Sequence, residues 1–338
     1  MAVLITGGAG YIGSHTCVEM LGAGHAIVLL DNFSNAKPEA VDRIKALSGK
    51  DFPVYATDIL DEAGLREVFA REGIDAVVHF AGYKAVGESV QVPLDYYRNN
   101  VGGAISLVRA MAQAGCKRLV FSSSATVYGD SQDVPFKEGH PTAATNPYGM
   151  TKLIIERILQ DAAAADPAWS IALLRYFNPI GAHPSGLLGD EPKGIPNNLM
   201  PYIAQVAAGK LDCLSVFGDD YDTKDGTGVR DYLHVSDLAI GHLKALAYIQ
   251  ANRGVEAINL GSGTGFTVME VIHAFEQATG IAIKHRIAER RPGDIAQSYA
   301  DTAKAQELLQ WKAERTLHAM CADAWHYVSK YYESAGGA

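Results

Sequence analysis

Cysteine is scarce in this chain and scattered: Cys17, Cys116, Cys213 and Cys321 are the four in 338 residues, with no CxxC pair. That pattern offers neither a disulfide framework nor a zinc set, and reads as free thiols used as small apolar side chains. Long hydrophobic runs are missing too. The longest, such as residues 2–5 and 27–30, are strand-sized, far below the ~20 residues a membrane span needs. No basic or apolar leader precedes the first strand, so the expectation is a cytoplasmic protein with no membrane partner. Positive charge is in deficit: 29 Lys and Arg stand against 38 Asp and Glu, a formal net charge of −9. Such a field disfavours nucleic acid and acidic membranes, so local arginines must receive any anionic ligand. The histidines show no HxxxH grouping with a third ligand, and no metal is expected.

What the chain does have is alternation. Short β-rich runs at 2–6, 26–30, 54–56, 76–80, 119–122 and 171–174 are separated by amphipathic stretches near 14–22, 38–48, 64–72, 94–115 and 147–165. This order predicts βαβ units and a parallel sheet covered on both faces. At 338 residues the chain exceeds one ordinary core. After about Asn178 the texture changes, and 181–198 is rich in Gly and Pro. Helical periodicity returns at 199–208, 235–251, 268–279, 302–309 and 317–332, with a buried strand at 257–260. The expected fold class is α/β: a Rossmann-type doubly wound parallel sheet over residues 1–177, and a smaller C-terminal α/β substrate lobe over 178–338. Segments near 232–262 should return to the first domain.

Three local patterns carry chemistry. Gly7-Gly8-Ala9-Gly10-Tyr11-Ile12-Gly13 follows the first strand and opens the first helix. Its Gly7, Gly10 and Gly13 permit a tight turn and close approach of a pyrophosphate to helix N–H groups. Asp31 ends the second strand, where a carboxylate accepts from ribose hydroxyls and repels a 2′-phosphate, which favours NAD over NADP. Asp58 and Ile59 are placed to hold the adenine. Phe80-Ala81-Gly82, with Lys84 nearby, should line the groove. The third pattern is Tyr148 and Lys152, four residues apart on one helix face downstream of Ser122-Ser123-Ser124. A free tyrosine, with a pKa of about 10, is a poor base at neutral pH, and an adjacent ammonium is expected to bring it down. A tyrosine tuned in this way can take a proton from a sugar or alcohol hydroxyl.

Together Gly7–Gly13, Asp31, Phe80-Ala81-Gly82, Ser122-Ser-Ser-Ala-Thr-Val-Tyr-Gly129 and Tyr148-Gly-Met-Thr-Lys152 resemble the extended short-chain dehydrogenase/reductases. More narrowly, they resemble the UDP-glucose 4-epimerase family. Arg175-Tyr-Phe-Asn-Pro179, Gly194-Ile-Pro-Asn-Asn-Leu-Met-Pro-Tyr202 and Asp225-Gly-Thr-Gly-Val-Arg-Asp-Tyr232 extend the likeness to nearly the whole chain. The resemblance implies tightly bound NAD, a UDP-sugar substrate and a homodimer formed through 94–115 and 147–165. It implies catalytic roles for Tyr148, Lys152 and Ser124. It further implies cofactor contacts from Tyr11, Ile12, Asn32, Ser34, Asn35, Lys84, Asn99, Ser122 and Tyr176. On the substrate side it implies Lys84, Phe177, Asn178, Asn198, Leu199, Phe217, Arg230, Tyr232, Arg291, Asp294 and Ser298.

Two sequence details narrow the expectation. Related nucleotide-sugar dehydratases carry an Asp-Glu pair after the third serine, whereas this chain has Ala125-Thr126. Neither residue can serve as acid or base for elimination. In the family, the fourth position after the RRxGD aspartate gates the space around the sugar 2-substituent. Here Arg290-Arg291-Pro-Gly-Asp294 puts Ser298 at that gate, with Tyr299 beside it. A small residue there leaves room for an N-acetyl group. His183, in the Gly- and Pro-rich loop, is not needed for proton chemistry that Tyr148 already supplies. The competing readings are a net oxidoreductase or dehydratase acting on a nucleotide sugar, and a non-catalytic NAD-binding protein.

Overall fold

The structure is a computed structural model that describes residues 1–191, 196, 198–291 and 293–336. The first half runs β1 (Ala2–Thr6), α1 (Tyr11–Gly22), β2 (Ala26–Leu30), α2 (Glu39–Ser48), β3 (Val54–Tyr55), α3 (Glu62–Glu72) and β4 (Ala76–His79). Next come α4 (Val86–Gln91), α5 (Pro93–Tyr96), a π-helical turn (Tyr97–Gly102), α6 (Gly103–Gln113), β5 (Arg118–Ser124), a 3₁₀ turn (Ala125–Tyr128) and α7 (Pro147–Ala165). The chain continues through β6 (Ser170–Tyr176), β7 (Asn178–Ile180), α8 (Leu199–Ala207), β8 (Leu214–Phe217), β9 (Val229–His234), α9 (Val235–Ala251) and β10 (Gly254–Leu260). It ends with β11 (Gly265–Thr267), α10 (Val268–Thr279), β12 (His285–Ala288), β13 (Gln297–Ser298), α11 (Ala303–Leu309) and α12 (Leu317–Gly336).

Among the described residues, seven strands pair in the order β10-β6-β5-β4-β1-β2-β3, all parallel. The order reverses beside β1, which creates the crevice where open α/β sheets take their ligands. Strand β1 shows why both faces are buried. Val3 and Ile5 point into a core with α1, α2 and α9, and Leu4 points into the opposite core with α3, α6 and α7. The late strand read from residues 257–260 is β10, which joins the large sheet beside β6. Helix α9 leads into it. The second lobe gathers β11, β9 and β13, with β7 also on β9, and a separate β12–β8 pair. Its core is formed by Ile203, Val271, Ile272, Phe275 and Met320. No described helix is long and apolar enough to cross a membrane.

The expected helix over 94–115 is interrupted. Pro93 starts the four-residue α5, and the backbone then widens into the π turn before α6 begins at Gly103. A Cβ at Gly103 would lie 2.4 Å from the Ile59 side chain, so the start of α6 is packed against Ile59. The expected strand over 119–122 is also longer than read. All three serines continue its pairing with β6, up to Ser124 opposite Tyr176.

Candidate active site

The cofactor residues expected from Gly7 to Lys84 follow the C-terminal ends of β1 to β4, whereas Asn99 lies in the π turn, Tyr148 and Lys152 on α7, and Ser122 and Tyr176 within β5 and β6. Gly7 has φ of +69°, and a Cβ there would lie 2.7 Å from the Ala81 nitrogen. At Gly13 a Cβ would fall 2.3 Å from the Gly7 carbonyl oxygen. The turn is therefore closed to any side chain, and it leads into α1 through Gly10, whose N-cap has no side-chain hydrogen bond. First-turn N–H groups are thus available to an anion. Ile12 packs on the core. Tyr11 donates its hydroxyl to the Gly181 carbonyl at 2.7 Å, which ties this turn to the second lobe.

Asp31 is held by the Ala9 and Phe33 amides at 3.1 and 2.9 Å, while burial pushes its carboxyl above the usual range. Asn32 donates to Asp58 at 2.7 Å, bringing the ends of β2 and β3 together, with exposed Asn35 and Ser34 on the same loop. The Ile59 side chain lies in the core, so only its backbone is left to meet a ligand. Lys84, on the segment after Phe80, Ala81 and Gly82, pairs with Asp190 at 3.6 Å. These groups fit a dinucleotide: a side-chain-free phosphate turn, an anchored carboxylate for a ribose and an open sheet crevice.

The π turn places Asn99 and Asn100. Asn99 Nδ2 donates to the Asn100 side-chain Oδ1 at 3.0 Å. Asn100, missed from sequence, accepts from the Tyr83 amide and donates to the Tyr83 carbonyl and to Thr151 Oγ1. It ties α7 to the loop after β4. Its signal was the Asn-Asn pair, visible only once the helix is known to bulge.

Helix α7 starts with Asn146 capping the Gly149 amide and Pro147 in the first turn. It brings Tyr148 and Lys152 over the end of β5. Lys152 Nζ donates to the Ser122 carbonyl at 2.7 Å and sits 5.8 Å from the Tyr148 ring centroid. Ser124 Oγ accepts from the Thr126 amide at 3.2 Å and from Thr126 Oγ1 at 3.0 Å. With two acceptor positions filled, its own hydrogen is left to donate. Ser122 Oγ is hydrogen-bonded to the Tyr176 hydroxyl.

The expected low tyrosine pKa is not what the protein alone provides. Burial pushes Tyr148 up to about 12, and the Ser124 hydrogen bond pulls it down only in part. Burial likewise holds Lys152 down to about 8, against the raising effect of Glu156. Both groups are driven toward their neutral forms, because low-dielectric surroundings penalise either charge.

Behind this pair lies a buried ionic network that sequence reading passed over. Glu156, one turn after Lys152, accepts from Ser123 Oγ at 2.5 Å and from Arg175 at 2.9 and 2.6 Å. Arg175 also reaches the Tyr128 hydroxyl and the Glu138 carbonyl, each at 3.2 Å. The available signal was a carboxylate on the apolar face of α7.

Of the expected substrate residues, those from Asn178 onward lie in the second lobe, while Lys84, Ser124 and Tyr148 belong to the first. Strand β13 lies parallel to β9 with Ser298 opposite Arg230. Arg230 lies 3.8 Å from Asp294, Arg291 donates to Asp294 at 2.9 Å, and the Arg291 guanidinium covers the Phe217 ring at 4.9 Å. Phe217 is left partly exposed. Asn178 pairs with Tyr232 across β7 and β9, and the two arginines hold the Tyr232 phenol down against burial, which takes it up to about 12. Asn198 and Leu199 open α8, with Asn198 exposed. Gly194, Ile195 and Asn197 of the string ending at Tyr202 lie outside the described residues. Phe177 departs from expectation: its ring is buried beside Phe136 in a small core, so only its backbone can serve a ligand. His183 bonds Ser185 at 2.8 Å and organises its own loop.

A turn open to a phosphate, a carboxylate placed for a ribose, and a Tyr–Lys helix are the features expected of an enzyme that uses a bound dinucleotide. Residues 3–261 match the NAD dependent epimerase/dehydratase family. The chain is 59% identical over 329 residues, 97% of each protein, to UDP-glucose 4-epimerase of Bacillus subtilis. It matches the crystal structure of UDP-glucose-4-epimerase from Stenotrophomonas maltophila with bound NAD and formylated UDP-arabinopyranose. There the TM-score is 0.97 at 49% identity, over 99% of both chains. The Bifidobacterium longum UDP-glucose 4-epimerase complex with NAD+ and UDP gives 0.94 at 51% identity, over 98% of both. The chain belongs to the NAD dependent epimerase/dehydratase family and, within it, to the UDP-glucose 4-epimerases.

Proposed function

We propose that this protein interconverts UDP-glucose and UDP-galactose by inverting C4 through a 4-keto sugar. The observation that carries the reading is Tyr148 and Lys152 on α7 set over Ser124 at the end of β5. NAD, held by Gly7–Gly13, Asp31, Asp58 and the Phe80–Gly82 segment, supplies a hydride acceptor that returns the hydride to the other face of the same carbon. Tyr148 takes the 4-OH proton and later gives one back. Ser124 donates to the phenolate or the sugar oxygen, because Thr126 already fills its acceptor positions. Lys152, protonated at pH 7 with its pKa at about 8, provides positive charge beside the phenol. Arg230 and Arg291 take the diphosphate, whose oxygens match guanidinium forks. Phe217 flanks the base.

Specificity extends to N-acetylated sugars in this reading. Ser298 occupies the gate, and the neighbouring Tyr299 ring is committed elsewhere: it lies 3.4 Å from where a Cβ on Gly265 would stand. Net dehydration is disfavoured, since the 3₁₀ turn at Ala125–Tyr128 presents no carboxylate beside Ser124. A second copy of the chain covers the exposed apolar side chains of Val86, Val90, Val92, Leu94 and Ile105 on α4 to α6.

The test is Tyr148→Phe assayed on UDP-galactose without added cofactor. Turnover should fall by about 10²–10⁴-fold, the usual worth of a positioned base, while NAD stays bound. Retained turnover would falsify the assignment of the base.

A further inference from the structure

Asp231 is fully buried on β9, and among the described residues none of the salt bridges reaches it. Its neighbour Arg230 turns the other way, donating to the Val229 and Ile295 carbonyls at 2.8 and 2.9 Å. The Asp231 carboxylate is satisfied by four hydrogen bonds instead. Oδ1 accepts from Ser262 N at 2.7 Å and Ser262 Oγ at 2.6 Å, and Oδ2 accepts from Gly263 N and Ala300 N, each at 3.1 Å. Three chain segments meet on this one group: the strand carrying Arg230, the return from the large sheet at 261–264, and the residue two after Ser298. The fit is close, since a Cβ on Gly261 would lie 2.4 Å from Asp231 Oδ2 and 2.7 Å from the Ala300 Cβ.

Strand β13 has few other ties. It is two residues long, pairs only with β9 among the described strands, and continues into a bridge between Phe136 and Ala300. We propose that Asp231 is a positioning residue for substrate selection, fixing the spacing between Arg230 on β9 and Ser298 on β13 and so the room around the sugar 2-substituent. This rests on the functional reading above. An asparagine at this position keeps one acceptor oxygen and turns an amide N–H₂ toward one pair of donors, so the clasp opens either on Ser262 or on Gly263 and Ala300.

The experiment measures kcat and KM for UDP-galactose and UDP-GalNAc in wild type, Asp231→Asn, Gly261→Ala and Ser262→Ala. NAD content and melting temperature report folding. Asp231→Asn and Gly261→Ala should raise KM for UDP-galactose by about tenfold, the size of one or two lost hydrogen bonds, with kcat nearly unchanged. Their kcat/KM ratio should shift toward the N-acetylated sugar by at least about threefold. Ser262→Ala, which keeps the carboxylate and loses one donor, should move both quantities less and in the same direction; it decides the matter where the harsher variants do not fold. Folded variants with wild-type KM and ratio, a loss confined to kcat, or a shift toward the plain sugar would overturn the proposal. Wild type with no turnover of either sugar would instead sink the functional reading itself.

Discussion

Converting Glu156 to glutamine keeps its volume and removes one charge from a buried pair. The side chain is 1% exposed, and its partner Arg175 is almost as deep. In the native protein Glu156 raises the Arg175 pKa, and it takes both guanidinium bonds and the Ser123 hydroxyl. After the change Arg175 keeps the Tyr128 hydroxyl, the Glu138 carbonyl and one glutamine oxygen as acceptors, while the glutamine NH₂ donors replace the other oxygen and the pair loses its negative charge. Breaking a buried ion pair on one side costs about 3–5 kcal/mol, because the remaining charge has nowhere to go. For a chain of this length the unfolding entropy makes that a drop of ~4–7 °C in melting temperature. Calorimetry at pH 7 on wild type and variant reads this directly, and a shift within ~1 °C would refute the reasoning. A Glu156→Leu/Arg175→Met double variant should melt above Glu156→Gln, since it leaves no buried charge alone. Recovery stays incomplete, because Ser123 loses its Glu156 acceptor and Tyr128 loses the Arg175 donor, keeping only its bond to Asn259. Glu156→Gln should also lower the pH at which Lys152 loses its proton, as the anion supporting the ammonium is gone.

Lys152 itself gives a pH signature in the NAD-free protein. Its folded pKa of about 8 lies below the ~10.4 of an unfolded lysine, so between those values the unfolded chain binds more protons. Wild type should therefore gain stability relative to Lys152→Met as pH rises from about 8 to ~10. Urea midpoints whose difference stays flat across that window would contradict the burial argument. Ser298→Tyr should suppress turnover of UDP-GalNAc and spare UDP-galactose; equal, negligible N-acetyl activity in both proteins would remove the gate assignment. Leu94, 79% exposed on α5, should hold a second copy, so Leu94→Glu is expected to sediment as a monomer beside a dimeric wild type. Identical sedimentation of the two rules that surface out.

Local chemistry was legible in the sequence, and long-range chemistry was not. Helix α7 reads off its residues because Pro147 and Asn146 sit at its start and its apolar face recurs with helical period. The same holds for α9 and α10, whose bounds match the periodicity of 235–251 and 268–279. The π turn was not legible because no residue of Tyr97–Gly102 marks it in the sequence; just past it, Gly103 packs against Ile59, more than forty residues away. Asp231 read as part of a motif, yet its partners Ser262, Gly263 and Ala300 are brought to it only by the fold. The sign of the Tyr148 shift was misread for the same reason. Spacing shows that a lysine stands one turn away, but not that both side chains are desolvated or that Lys152 is aimed at the Ser122 carbonyl. Those facts sharpen the chemistry. A site that pushes its phenol up and its ammonium down resists charge separation, so Tyr148 is not a strong base in the protein alone. Lowering it from about 12 to near 7 takes ~7 kcal/mol of phenolate stabilisation, more than one hydrogen bond from Ser124 supplies. In the proposed mechanism the balance would come from positive charge beside the phenol: the Lys152 ammonium and, with NAD bound, the oxidised nicotinamide ring. If the proposed mechanism holds, an oxidised cofactor would strengthen the base as well as accept the hydride, so proton removal would be favoured in complexes in which oxidation can follow.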